Sequence, residues 1–275
     1  MRRLIDDAAD QLAAAGVGSP RVDAELLAAH VAGAQRGMVG FTVPDADFAQ
    51  RFAVLVARRA QRVPLQHLTG TAALGPVSVH VGPGVFVPRP ETEALLEWAL
   101  AQRLPAEPVI VDLCTGSGAL ALALASCSPR ARVVAVDDSP DALRYTRRNA
   151  EGTSVEVVSA DVTAPGVLAD LDGTVDLLVA NPPYIPVGAQ LEPEVAQYDP
   201  SHALFGGPDG MAVIDRIADV AARLLRPGGS CAVEHDDTTS ARTVDAFIRA
   251  GRFTDVTARH DLTGRPRFVT AVRDE

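Results

Sequence analysis

The first sixty or so residues set apolar and polar side chains at helical spacing, with almost no β-type run. Apolar positions recurring three and four apart predict a helix over 4–15, stopped by Gly16. Ser19-Pro20 reads as an N-cap followed by proline at the first helical position. The helix it opens carries Val22, Leu26, Leu27 and Val31, and His30 on it reads as a face residue rather than a ligand. A third helix is expected over 45–61, with Phe48, Phe52, Leu55 and Val56 on its apolar face. From Val63 the pattern changes. Glycines and prolines punctuate short β-type runs at 77–81 and 85–87, which predicts a β-hairpin linker over 63–93. The linker ends in Pro88-Arg89-Pro90-Glu91-Thr92-Glu93, whose acids suit the first turn of a helix. An arginine held between two prolines is not explained that way.

Beyond a helix at 94–102, strands and helices alternate. Strands are expected at 109–112, 132–137, 155–158, 175–180 and 230–234, with two more near 253–258 and 268–272. Helices are expected at 119–125, 140–150, 211–225 and 238–250. Repeated βα units predict an α/β fold built on a parallel, doubly wound sheet. The chain therefore divides into a helical domain (1–62), the hairpin linker (63–93) and an α/β domain (94–275).

Chemistry concentrates where the predicted strands end. The strand at 175–180 runs into Asn181-Pro182-Pro183-Tyr184. Open α/β sheets place ligands at that end of their strands. The two prolines lock the backbone and remove two donors, leaving carbonyls free to accept. Asn181 precedes a proline and is pushed to an extended conformation. An asparagine oxygen and a free carbonyl beside an aromatic ring suit a planar group carrying an NH2. The first strand leads into Asp112-Leu113-Cys114-Thr115-Gly116-Ser117-Gly118, a turn of small residues that lets backbone approach a ligand. It lacks the third glycine of the dinucleotide fingerprint. Asp137 ends the second strand, about 25 residues after Asp112, where a carboxylate can accept both hydroxyls of a ribose. Asp161 ends the third, placed beside a nucleobase.

Bulk properties narrow the partners. A formal net charge of −10 over 275 residues, with pI ≈ 5.1, argues against a primary duplex-DNA binder. The cysteines, Cys114, Cys127 and Cys231, are scattered without metal-ligand spacing, so no metal is expected and a reducing cytoplasm is. No signal peptide and no apolar run of membrane-spanning length is seen.

Asp112 to Gly118, Asp137, Asp161 and Asn181 to Tyr184 together resemble a class I S-adenosylmethionine-dependent amino-methyltransferase. The Asn-Pro-Pro-Tyr motif is shared by methylases of adenine N6 and of glutamine side-chain amides. Phe86-Val87-Pro88-Arg89-Pro90-Glu91-Thr92-Glu93 resembles the hallmark of the release factor glutamine methyltransferases (PrmC/HemK type). So do Arg21-Val22-Asp23-Ala24-Glu25-Leu26-Leu27, Pro64-Leu65-Gln66-His67-Leu68-Thr69-Gly70 and Glu234-His235. The resemblance spans nearly the whole chain. It implies a seven-stranded catalytic sheet with an antiparallel last strand behind a helical, substrate-recognising domain. The implied cofactor is S-adenosylmethionine, leaving S-adenosylhomocysteine, in a pocket of Asp112, Cys114, Thr115, Gly116, Ser117, Gly118, Asp137, Asp161, Val162 and Asn181. The implied glutamine pocket is Asn181, Pro182, Pro183 and Tyr184, with Phe86 and Arg89 nearby. The implied partners are class I peptide release factors, with neither DNA nor membrane, and a monomer is expected. Three positions depart from the pattern: Cys114 where relatives often have glycine, Val162 where some have an aromatic, and Asp236 where glycine commonly follows Glu-His. The rival functions are a DNA adenine-N6 methylase, for which no basic stripe is visible, and a catalytically silent cofactor-binding protein.

Overall fold

The computed structural model describes all 275 residues, which form two compact units. The first comprises Met1–Thr71 together with Leu191–Tyr198. Its helices α1 (Arg2–Ala14), α2 (Pro20–Ala32) and α3 (Phe48–Ala60) match the helical periodicity, whereas the short α4 (Leu65–Thr69) lies in the stretch expected to be hairpin linker. Ile5, Ala8 and Leu12 of α1, Leu27 and Val31 of α2, and Phe48, Phe52 and Val56 of α3 are buried together. Pro20 does open α2, but Ser19 does not cap it. Its hydroxyl donates to Asp23 Oδ1 at 2.9 Å and accepts no backbone N–H. Asp23 is committed elsewhere too: its Oδ2 accepts from Arg59 Nε at 2.7 Å in a buried ion pair.

The second unit, Ala72–Gln190 and Asp199–Glu275, holds the α/β sheet. It begins with a two-stranded sheet of β1 (Thr71–Leu74) and β2 (Val77–His80). The hairpin therefore exists, but its partner strand is 71–74 and not 85–87. Pro83 lacks a donor and Gly84 is left-handed (φ +93°), so the ladder stops, and 85–87 runs on as loop that buries Val85 and Val87. Then follow α5 (Thr92–Leu100), β3 (Val109–Leu113), α6 (Ala119–Cys127), β4 (Arg132–Asp137), α7 (Pro140–Ala150), β5 (Glu156–Ser159) and β6 (Val175–Ala180). Next in the chain come two short helices, α8 (Pro193–Tyr198), which belongs to the first unit, and α9 (Ser201–Leu204), which belongs to the second. The chain closes with α10 (Ala212–Leu224), β7 (Leu225–Glu234), α11 (Ser240–Ala250), β8 (Phe253–His260) and β9 (Pro266–Arg273).

The seven strands are ordered β5-β4-β3-β6-β7-β9-β8. The pairings β3–β4, β3–β6, β4–β5 and β6–β7 are parallel, while β9 is antiparallel to both β7 and β8. Strand order reverses at β3: β4 and β5 extend to one side, β6 and β7 to the other. That switch point is where such sheets open a ligand crevice. Every residue of β6 is buried. Leu177 and Val179 pack on one face of the sheet, Leu178 and Ala180 on the other, the alternation that a strand covered on both sides requires.

Within the helical unit, α8 brings Glu194 to two arginines. Glu194 Oε1 accepts from Arg59 Nη1 at 3.0 Å and from Arg62 Nε at 2.6 Å. The segment directly after the Asn-Pro-Pro-Tyr turn and its following loop is thus fastened among helices more than a hundred residues earlier in the chain. No helix is long and apolar enough to cross a membrane.

Candidate active site

A cavity of about 340 Å³ opens at the carboxyl ends of β3, β4 and β6. Register puts those ends side by side, with Leu113 opposite Val136 on one flank and Ala180 on the other. The turn after β3 forms one wall. Asp112 is buried, and its Oδ2 accepts from Thr115 Oγ1 at 2.5 Å and Ala121 N at 3.1 Å, tying the turn to the start of α6. Cys114 has φ +57°, the left-handed region that favours glycine. Gly116 lines the cavity, and a Cβ on it would meet no protein atom within 4 Å. Gly118 stands behind the wall, where a Cβ would press on Thr146 at 3.0 Å.

Asp137 supplies the next wall. Its Oδ2 accepts from Gly116 N and its Oδ1 from Ser139 N, both at 2.9 Å. Asp161 and the buried Val162 line the cavity beyond it, with Asp161 Oδ1 accepting from Thr163 N and Oγ1. Two residues not expected from sequence complete this side. Asp138 and His202 line the mouth and pair at 2.7 Å. The signal for Asp138 is its place beside Asp137; His202, on the short α9, has none in the sequence.

Asn181, Pro182, Pro183 and Tyr184 all line the cavity. Asn181 Nδ2 donates to Thr92 Oγ1 at 3.2 Å, Thr92 Oγ1 donates to Glu234 Oε2 at 2.9 Å, and Tyr184 Oη donates to Glu234 Oε1 at 3.0 Å. Neither Asn181 Oδ1 nor the Pro182 carbonyl accepts a hydrogen bond from the chain. The backbone of this turn is held by the loop around 204–210, which carries none of the expected site residues. Ile185 N donates to Leu204 O at 2.8 Å and Gly206 N donates to Ile185 O at 3.0 Å. A Cβ on Gly206 would stand 2.4 Å from the Pro183 carbonyl, and one on Gly210 2.2 Å from that of Tyr184. The run Gly206-Gly207-Pro208-Asp209-Gly210 was the available signal.

Phe86 lines the cavity; Arg89 does not. The Arg89 guanidinium lies 4.9 Å from the Phe86 ring centroid and pairs with the buried carboxylate of Asp199, so it braces Phe86 from behind. Asp236 has φ −66°, which needs no glycine, and its carboxylate accepts from Thr238 N at 2.9 Å.

Burial dominates the electrostatics. It pushes the carboxyls of Asp112 and Glu234 each up to about 7. It raises Asp137 as well, against the opposing backbone hydrogen bonds from Ser139 and Gly116. Burial and the neighbouring acids raise the Cys114 thiol, which stays protonated. Asp161 is lowered by the Thr163 hydroxyl, and His202 is raised by its bond to Asp138.

Comparison with known proteins gives a consistent result. Residues 3–70 match the model of the PrmC N-terminal domain, and 77–198 that of the Methyltransferase small domain. The chain is 69% identical to a release factor glutamine methyltransferase of Mycolicibacterium smegmatis, over 99% of this chain and 98% of that protein. It is 62% identical to the protein of that name from Mycobacterium tuberculosis strain H37Rv, over 99% and 91%. With that of Streptomyces coelicolor it shares 51%, over 97% and 96%. Among solved structures, a methyltransferase from Pyrococcus furiosus aligns with a TM-score of 0.52 at 18% identity, covering 72% of this chain and 89% of that one. Likeness at that identity concerns the fold alone.

Proposed function

Since the chain belongs to the family of release factor glutamine methyltransferases, we propose that it methylates N5 of the glutamine side chain in the Gly-Gly-Gln loop of class I peptide release factors. S-adenosylmethionine, the donor in this reading, supplies a methyl group activated by its sulfonium and leaves as S-adenosylhomocysteine. The residues present suit that cofactor. The open face of Gly116 admits a ligand against the backbone. Asp137 keeps a lone pair on each oxygen for the two ribose hydroxyls after accepting from Gly116 and Ser139. Val162 and Asp161 would border the adenine, and Cys114, Thr115, Ser117 and Asn181 the rest.

The observation that carries the mechanism is a pair of acceptors that no group of the chain fills, Asn181 Oδ1 and the Pro182 carbonyl, on residues that line the cavity; the choice of glutamine over adenine rests on the family. An amide nitrogen is a poor nucleophile because its lone pair is delocalised into the carbonyl. Two acceptors taking both of its N–H groups favour a pyramidal nitrogen and stabilise the positive charge that develops on it. They also fix its direction, so much of the rate gain is orientation. Tyr184 and Phe86 flank the amide plane, and Pro183 keeps the turn rigid. The alkylated nitrogen is strongly acidic and loses its proton without an assigned base.

The test is incubation with labelled S-adenosylmethionine and a release factor, with the methyl located by peptide mass spectrometry. Asn181→Ala should lose about two orders of magnitude in kcat while cofactor affinity falls less. Full activity of this variant would overturn the mechanism. Methylation of adenine in duplex DNA, with none of the release factor, would overturn the substrate.

The helical unit we assign to recognition of the release factor's body. Phe41 and Val43 expose 81% and 90% of their surface beside the half-exposed Met38, a patch with no use inside the unit. Phe41→Ser with Val43→Ser should raise KM for the intact release factor and leave turnover of a short glutamine peptide unchanged. An unchanged KM for the release factor would remove that assignment.

A further inference from the structure

Two of the segments that carry the family resemblance, 88–93 and 234–235, supply two residues to which the reading above gives no role. Thr92 and Glu234 come from them, and both are buried. Thr92 is the first residue of α5 but makes no helix cap; its hydroxyl is turned toward Glu234. Glu234 is fully buried at the end of β7, with one oxygen on Thr92 and the other on Tyr184. We infer that Thr92 and Glu234 are positioning residues that fix which end of the Asn181 amide faces the cavity. This inference rests on the reading that Asn181 grips the substrate amide.

Hydrogen-bond polarity makes the case. An ionised carboxylate only accepts, and a threonine hydroxyl has a single proton to give. Glu234 therefore takes the Thr92 proton at 2.9 Å, and toward Asn181 the same hydroxyl can only accept. The Asn181 atom that lies 3.2 Å from Thr92 Oγ1 must be a donor, so it is Nδ2. The carbonyl oxygen is then turned the other way, where it meets no donor of the chain. Without this constraint the amide is free to rotate by half a turn, because oxygen and NH2 are nearly the same size. In the rotated form an NH2 would face the NH2 of the substrate, and one of the two acceptors would be lost. A buried anion that touches no substrate thus sets the direction of a group that does.

Neutron diffraction from crystals of the wild-type chain at pH 8 reads the polarity directly. The expected map has the Thr92 deuteron pointing at Glu234 and an Asn181 Nδ2 deuteron pointing at Thr92. A Thr92 deuteron pointing at Asn181 would overturn the inference, whether or not any variant folds. Kinetics give the second arm. Thr92→Val should lower kcat about tenfold or more while calorimetric affinity for S-adenosylhomocysteine stays near wild type, and Thr92→Ser should recover most of the loss. If Asn181→Ala is inactive and Thr92→Val retains wild-type kcat, the positioning role fails and the grip stands. If Asn181→Ala is itself fully active, the grip fails and the inference with it.

Discussion

Asp137→Asn tests the cofactor site with almost no change of shape. In the wild-type chain each oxygen of Asp137 accepts one backbone N–H at 2.9 Å, Oδ1 from Ser139 and Oδ2 from Gly116. A carboxylate has about four lone-pair sites, so roughly one per oxygen remains for a ribose hydroxyl. An asparagine has one oxygen and one NH2. However it turns, the NH2 confronts a backbone N–H and cannot receive it, and one of the two ribose acceptors disappears along with the charge. Losing one charge-assisted hydrogen bond costs about 1.5–3 kcal/mol, which is roughly a ten- to hundredfold weaker Kd. Calorimetry with S-adenosylhomocysteine reads it directly, at pH 8 because burial raises Asp137 and an alkaline buffer favours its carboxylate. A parallel thermal melt checks folding, because Gly116 or Ser139 loses its acceptor in the same variant. Wild-type affinity in a folded variant would mean that the ribose is held elsewhere.

Two further perturbations have signs fixed by the structure. Arg59→Ala leaves Asp23 buried without its cation and should destabilise the helical unit by about 3–5 kcal/mol, read by urea denaturation; a loss under about 1 kcal/mol would place the pair in the class of solvated bridges. Activity should rise with pH through about 7 as Glu234 ionises, because a protonated Glu234 can donate to Thr92 and reverse the chain of donors to Asn181; Tyr184, Arg267 and Glu91 are the other charged or titratable groups acting on it, and a flat kcat profile between pH 6 and 8.5 would refute this. Folding stability should run the opposite way. Asp112 and Glu234 both have folded values raised above their unfolded ones, so their contribution is complete below about pH 4 and is lost as pH rises through about 7, which melting temperatures between pH 4 and 8 would show.

The sheet was legible where its strands are runs of β-branched residues. The runs 132–137 and 175–180 are strands over those same residues, because a run of β-branched side chains suits a strand covered on both faces of its sheet. The first hairpin was not, because Thr71–Leu74 contains two alanines and looks helical, whereas 85–87 looks like a strand and is denied a partner by Pro83 and Gly84. Ser19 was a plausible cap whose hydroxyl found a carboxylate four residues on. Asp138, His202 and the loop at 206–210 reach the site by tertiary packing from segments whose local pattern names no function. Thr92 and Glu234 were visible only as parts of motifs. A one-letter pattern records that a threonine and a glutamate are present, and not which of them donates.

The three acids at successive strand ends look alike in sequence and are made different by burial and by their hydrogen bonds. Asp112 is almost wholly enclosed, and the oxygen that binds Thr115 and Ala121 shapes the turn. Asp161 is exposed, and one of its oxygens is doubly engaged by Thr163. Asp137 lies between these extremes. Each of its oxygens is oriented by a single backbone donor and left with spare capacity toward the cavity. Orientation by the backbone holds the carboxylate rigid before a ligand arrives, so little entropy is lost when a diol binds. The same division of labour appears at Asn181, where one end of the amide is spent on Thr92 so that the other is fixed and free. In both places the chain commits part of a polar group to itself, and the part left uncommitted is what makes the site directional.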